Sequence, residues 1–289
     1  TFTVHDGNGN QSQCAMTVEL IDTTSPTIVC LANQIQYADA ACNNTVSNYI
    51  PELTITDNCA IGNEITISQN PVAGTILSGH NDSETITITA VDNSGNSSEC
   101  SFVVVLKDTL APTINCPTDI ILNADANCQA SIGDYTDNIT VADNCTATSA
   151  ISIIQSPAAG TILSGYGTTE TITFIADDGN GNKDSCTILV TLEDVTPPAL
   201  SCPSDQSVTV DTNGEITIPD YRTMETKTDN CLADANILLT QNPVAGTTIG
   251  VLDTVVKITI IGDDTHGNID SCTFFVTLKD EINPIITCP

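Results

Sequence analysis

Apolar and polar residues alternate along four separated stretches of this chain: Met16/Val18/Leu20, Phe102/Val104/Leu106, Ile188/Val190/Leu192 and Phe274/Val276/Leu278. A period of two puts every second side chain on one face, the pattern of a half-buried β-strand. The same alternation runs just upstream in Ile86/Ile88/Ala90 and Ile172/Phe174/Ala176. Between the paired runs lies D-x-x-G-N (Asp92–Asn96, Asp178–Asn182). Its Gly and Asn accept positive φ, so each pair of runs is expected to close as a hairpin. Further strands are expected near Ile28, Val46–Ile50, Ile65–Ser68 and Thr75–Leu77. No helical period is sustained anywhere.

The landmarks repeat. Cys14, Cys100, Cys186 and Cys272 are spaced by 86 residues, as are Cys30, Cys116, Cys202 and Cys288, and Asp22, Asp108, Asp194 and Asp280. So strict a period marks a tandem array. It divides the chain into the end of one repeat (1–22), three full repeats (23–108, 109–194 and 195–280) and the start of another (281–289). The chain therefore reads as a segment of a much longer one. About seven short strands per repeat point to an all-β fold, an extended array of tandem immunoglobulin-like β-sandwiches. No apolar run is long enough to cross a membrane as a helix.

Charge narrows the partners. Six Lys plus Arg stand against 36 Asp plus Glu, a formal charge of −30. That excludes nucleic acid and an anionic membrane surface as natural partners and favours cations. General solubility in salty surroundings and a specific cation site both account for it. Trp is absent and aromatics make up 3% of the chain, so each small core must be built from Ile, Val, Leu and Ala. Such domains gain most from covalent staples. Thirteen cysteines at regular positions imply an oxidising, extracellular setting, and no zinc-ligand spacing is present. Each full repeat holds four cysteines except the third, where Gly214 stands 86 residues after Cys128.

The spaced residues resemble a known family. D-x-x-x-P-x-I-x-C-P (Asp108–Pro117), A-x-C (Ala126–Cys128), T-D-N-C (Thr56–Cys59) and D-x-x-G-N-x-x-x-C (Asp178–Cys186) are similar to the hyalin repeat family. QNPVAGTILSG (69–79) and QSPAAGTILSG (155–165) look like repeats of very large secreted surface proteins of flavobacteria, including gliding-motility adhesins exported by the type IX route. The resemblance implies an immunoglobulin-like fold and an extracellular, cell-surface role in adhesion. It also implies the bridges Cys30–Cys100, Cys116–Cys186 and Cys202–Cys272, each worth about 4 kcal/mol by loop closure. Cys42–Cys59 and Cys128–Cys145 follow as second bridges, with Cys231 left over. The Cys42–Cys59 pair is less comfortable, because a full-length strand would hold the two apart. A competing set, Cys30–Cys42 with Cys59–Cys100, stays open.

Three acidic positions per repeat are expected to converge at one end of the sandwich, from the incoming linker, an inter-strand loop and the last hairpin. They are Asp22, Asp57, Asn58, Asp92 and Asn96; then Asp108, Asp143, Asn144, Asp178 and Asn182; then Asp194, Asp229, Asn230, Asp264 and Asn268. A hard cation takes six to eight oxygens, so calcium is the expected ligand and no other cofactor is. Asp and Asn are also turn formers, and Asx turns explain the same residues without a metal. Asp22-Thr23-Thr24, Asp108-Thr109-Leu110 and Asp253-Thr254-Val255 resemble an O-glycosylation sequon of this bacterial group, which implies glycans on Thr23, Thr109 and Thr254.

No H-E-x-x-H, G-x-S-x-G or phosphate loop is present, and small sandwiches offer no cleft for a carboxylate pair. An enzyme is not expected. The expected role is structural and adhesive: a stalk or filament whose partners are neighbouring repeats, other copies of the chain or surface polysaccharide. A carbohydrate-binding array and a spacer within a secreted enzyme are the alternatives. Sugar sites favour exposed aromatic platforms, and five Tyr, five Phe and no Trp weaken the first of these.

Overall fold

The computed structural model describes residues 1–223, 226–250, 254–283 and 286. They hold 26 short strands and a few 3-10 turns, with no α-helix among them. The chain forms two compact units. One comprises residues 1–113, 141–152 and 177–184, and the other residues 114–140, 153–176 and 185–289.

In the first unit, the first full repeat is a two-layered sandwich of eight strands. Gln34–Tyr37, Ser97–Lys107, Ser83–Val91 and Thr66–Asn70 form a four-stranded sheet in that order. Thr27–Val29 pairs with Thr54–Thr56, and Asn43–Thr45 with Ile76–Ser78. The two long strands are the hairpin expected from the alternation, with Phe102 opposite Ile86 and Cys100 opposite Ile88. Gly95 in its turn has φ 90°, a conformation only glycine adopts without strain. Gln34–Tyr37 runs parallel to the end of the last strand, with Val104 opposite Gln34. Val46, Tyr49, Leu77, Ile86, Ile88, Phe102, Val104 and Leu106 form the core, in which the Tyr49 and Phe102 rings meet edge to face at 5.1 Å.

The second unit repeats the plan. Gln206–Thr209, Ile269–Lys279, Val255–Asp263 and Leu238–Asn242 form its four-stranded sheet. Tyr221 meets Phe274 at 5.0 Å within a core that includes Ile258, Ile260, Val276 and Leu278. Ile120–Asn123 runs parallel to the last strand of the second repeat, with Ile120 opposite Val190.

Two strand expectations need correction. Met16, Val18 and Leu20 alternate but form no strand: the hairpin Phe2–His5/Gln11–Cys14 ends first, and the three side chains are 60%, 80% and 93% exposed. Their counterparts in Ser97–Lys107 are held by a strand on each side, whereas no strand among the described residues pairs with 15–20. Over Val46–Ile50 the strand lies earlier, at Asn43–Thr45. Val46 and Tyr49 are buried nonetheless, and a 3-10 turn begins at Ile50.

A buried glutamine, missed in the sequence, shapes that bend. Gln69 Oε1 accepts the Tyr49 backbone N–H at 2.9 Å, and its Nε2 donates to the carbonyls of Ser47 and Pro71. Gln155 and Gln241 make the equivalent bonds to Tyr135 and Tyr221. The recurring Q-x-P was the available signal.

Candidate metal centre at the repeat junctions

Asp108 and Asp194 directly follow the last strands Ser97–Lys107 and Lys183–Glu193, and Asp22 holds the corresponding place in the first junction. Asp92 shows how the hairpin organises its acid. Its Oδ1 accepts the N–H groups of Ser94 and Asn96, both at 2.8 Å, and its Oδ2 accepts Asn96 Nδ2 at 2.8 Å. Asn96 Nδ2 also reaches the carbonyl of Asp22 at 3.2 Å, tying the linker to the hairpin. Asp57 caps its own loop, with Oδ1 accepting the Cys59 and Ala60 N–H groups. Carboxylate oxygens of Asp22, Asp57 and Asp92 thereby come within 4.8 Å of one another.

Asp108, Asp143 and Asp178 gather in the same way. Asn182 Nδ2 bonds Asp178 Oδ2 at 2.7 Å and the Asp108 carbonyl at 3.4 Å. Asn180 Nδ2 adds a bond to Asp108 Oδ2 at 3.2 Å. In the third set Asp194 and Asp264 are joined by a histidine, His266, and Asn268 Nδ2 bonds Asp264 Oδ2 at 2.6 Å and the Asp194 carbonyl at 3.1 Å. Asp229 occupies the place of Asp57 and Asp143 in its own loop, bonded to the N–H groups of Cys231 and Leu232.

Burial pushes the Asp92, Asp178 and Asp264 carboxyls up, but the donors from Asn96, Asn182 and Asn268 and the loop N–H groups outweigh it. All three end below the usual carboxylate range, so they are anionic at neutral pH. The Oδ2 atoms of Asp57, Asp143 and Asp229 are buried without a hydrogen-bond partner. A buried, unpaired carboxylate oxygen is costly unless a cation meets it. Lys183 pairs with Asp177 and Arg222 with Asp220, outside these sets.

The asparagines act as positioners. Asn58, Asn96, Asn182 and Asn268 present amide N–H groups to the carboxylates or carbonyls. Asn144 and Asn230 turn away, donating to the carbonyls of Asp39 and Asp125, each 105 residues earlier. Thr23 and Thr109 are exposed and Thr254 is half-buried, while Asp253 lies outside the described residues.

The cysteines depart from expectation at the same place. Cys30–Cys100, Cys116–Cys186 and Cys202–Cys272 are bonded, the pairs implied by the resemblance. The second bridges are not Cys42–Cys59 and Cys128–Cys145 but Cys42–Cys145 and Cys128–Cys231, each joining one repeat to the next. Cys42 and Cys59 sit at opposite ends of one sandwich, because the chain runs its length between them. Cys42 instead belongs to the Asp39–Asn43 turn that Asn144 grips, which puts it against Cys145. Cys231 is therefore bonded, and the free cysteines among the described residues are Cys14 and Cys59. Cys288 lies outside them.

Fold and junctions together define a class: tandem immunoglobulin-like sandwiches, stapled within repeats and latched between them. The HYR domain model matches residues 21–106, 107–192 and 193–278, and the chain belongs to that family. It is 30% identical over 217 residues to hyalin of Strongylocentrotus purpuratus, covering 71% of this chain and 17% of that protein. To hyalin of Lytechinus variegatus it is 28% identical over 300 residues, covering 100% and 54%. The chain thus spans about half or less of the length of these relatives. Among solved structures, mouse cadherin-23 EC22-24 aligns with TM-score 0.34 and 14% identity over 89% of this chain and 99% of that one. Titin domains I67-I69 align with TM-score 0.36 and 11% identity over 89% and 100%. Likeness at this level carries no argument about function.

Proposed function

We propose that this chain is a load-bearing segment of a large extracellular surface protein that mediates adhesion, with repeat junctions closed by calcium. The observation that carries the reading is the double closure of the second and third junctions, where a disulfide from one repeat to the next lies beside convergent acids; at the first junction the acids converge and Cys59 is free. A tether under force gains from links that do not stretch, and five disulfides suit an oxidising compartment.

At the first junction Asp22, Asp57 and Asp92 would hold the ion, and at the second Asp108, Asp143 and Asp178. Both sets are all oxygen, the donor type of a hard cation, and the buried Asp57 and Asp143 oxygens lack other partners. Bound calcium supplies the positive charge that lets these carboxylates stay close. The bacterial, gliding-adhesin attribution draws its support from the QNPVAGTILSG and QSPAAGTILSG phrases alone.

Thermal unfolding of the chain in excess calcium and in chelator, with small-angle scattering, tests the reading. Calcium is expected to raise the midpoint and stiffen the scattering profile. An unchanged midpoint and profile would remove calcium from the junctions.

A further inference from the structure

The three hairpin turns differ in the residue they aim at the linker. Two residues after the hairpin aspartate stand Ser94, Asn180 and His266. At the first two, that position offers a hydroxyl or an amide; the Cys59 thiol stands beside the first set, and His80 Nδ1 at the second is taken by the Asp108 backbone N–H at 3.0 Å. At the third an imidazole enters, and its geometry is set from three sides. The His266 backbone N–H donates to Asp264 Oδ1 at 2.8 Å, which holds the loop. Its ring stacks on Tyr166, with centroids 3.7 Å apart and planes 20° from parallel. Its Nδ1 lies 3.0 Å from Asp194 Oδ2. The Asp194 side chain is fully buried and that of His266 is 10% exposed.

We propose that the third junction, through His266, Asp194 and Asp264, binds a transition-metal ion of the Zn²⁺ type rather than calcium. The ligand atoms of the three lie within 4.8 Å of one another. Two ligands about 2.1 Å from a tetrahedral metal lie about 3.4 Å apart, so the hydrogen-bond contact of 3.0 Å between Nδ1 and Oδ2 has to open only slightly to seat one ion. An imidazole nitrogen is a poor ligand for calcium and a good one for zinc, cobalt or nickel. Tyr166 serves as the outer support that fixes a metal-binding ring. Asp229 Oδ2, in the D-N-C loop of the same repeat, is buried with no hydrogen-bond partner, as are Asp57 Oδ2 and Asp143 Oδ2, but its carboxylate is not one of the three groups that converge here. The inference rests on the reading of the junctions as cation sites and changes the ion at one of them.

The test uses the whole chain with Co²⁺ as spectroscopic probe, Zn²⁺ in competition, and calcium titrated separately. One Co²⁺ per chain is expected, with visible bands that persist in excess calcium and vanish when Zn²⁺ is added. His266→Asn places at the third junction the residue native to the second, and it is expected to weaken Co²⁺ at least tenfold with the unfolding midpoint in chelator little changed. His5→Ala and His80→Ala are expected to leave binding intact. If Co²⁺ does not bind, or binds His266→Asn equally well, while calcium still raises stability, this inference fails and the calcium reading stands. If Co²⁺ binds through His266 and calcium has no effect, the inference stands and the calcium reading fails. Binding of neither ion overturns both.

Discussion

The Cα atoms of Cys42 and Cys145 lie 4.9 Å apart across 103 residues of sequence, and their sulfurs are bonded. The bridge makes the linker around Asp108–Ala111 one of two covalent connections between the first and second repeats. Cys128–Cys231 does the same between the second and third.

Cutting that linker is therefore expected to leave the chain in one piece. With a protease site in place of Thr109–Ala111, cleaved protein should run as a single species without reductant and as two with it. Cys145→Ser should release the two fragments without reductant. Separation of the unmodified pair on a non-reducing gel would contradict the assigned bridge.

Closing a loop of about 100 residues stabilises a fold by roughly 4–5 kcal/mol on the loop-entropy model, and measured values usually fall nearer 2–4. Cys42→Ser with Cys145→Ser should lower stability in urea by an amount in that range. A loss under about 0.5 kcal/mol would mean that calcium and linker contacts already hold the junction.

Gln69 Oε1 accepts the buried backbone N–H of Tyr49. Gln69→Ala leaves that N–H and the carbonyls of Ser47 and Pro71 without their partner. The expected cost is about 2–3 kcal/mol, read from urea unfolding. Asn127→Ala, on the exposed turn that follows Asp125, should cost well under that.

Asp92, Asp178 and Asp264 have folded pKa values below the unfolded value of about 3.9. For a depressed carboxyl, the added stability is fully present above the unfolded value and is lost as pH falls through the folded one. In chelator, the unfolding midpoint should stay level from neutral pH to about 5 and fall below about 4. Asp92→Asn should flatten the fall. A midpoint that rises on acidification would show that carboxylate repulsion outweighs these hydrogen bonds.

Much of this molecule is written locally. The two-residue alternation of Phe102/Val104/Leu106 against Ile86/Ile88/Ala90 determines a hairpin and its buried face, since strand side chains point alternately up and down. The 86-residue period determines the array, and the Asp at each linker, loop and hairpin predicts where acids collect. The long strand expected at Met16–Leu20 failed for the complementary reason: alternation makes a strand only where another strand supplies hydrogen bonds.

What the sequence could not settle is which partner each group meets beyond its own repeat. Cys42–Cys59 and Cys42–Cys145 join the same residue types, and both respect the period. Only the tertiary structure shows that Cys42 leaves its sandwich at the end facing the next D-N-C loop, with Asn144 reaching back to Asp39. His266 belongs to the same lesson. As a lone loop histidine it reads as solvated, and its ring is set against Tyr166 and Asp194 only once the hairpin of the third repeat is folded onto the linker and the loop of the second. The period of the chain is a local, one-dimensional property; the junction chemistry depends on which ends of neighbouring sandwiches meet.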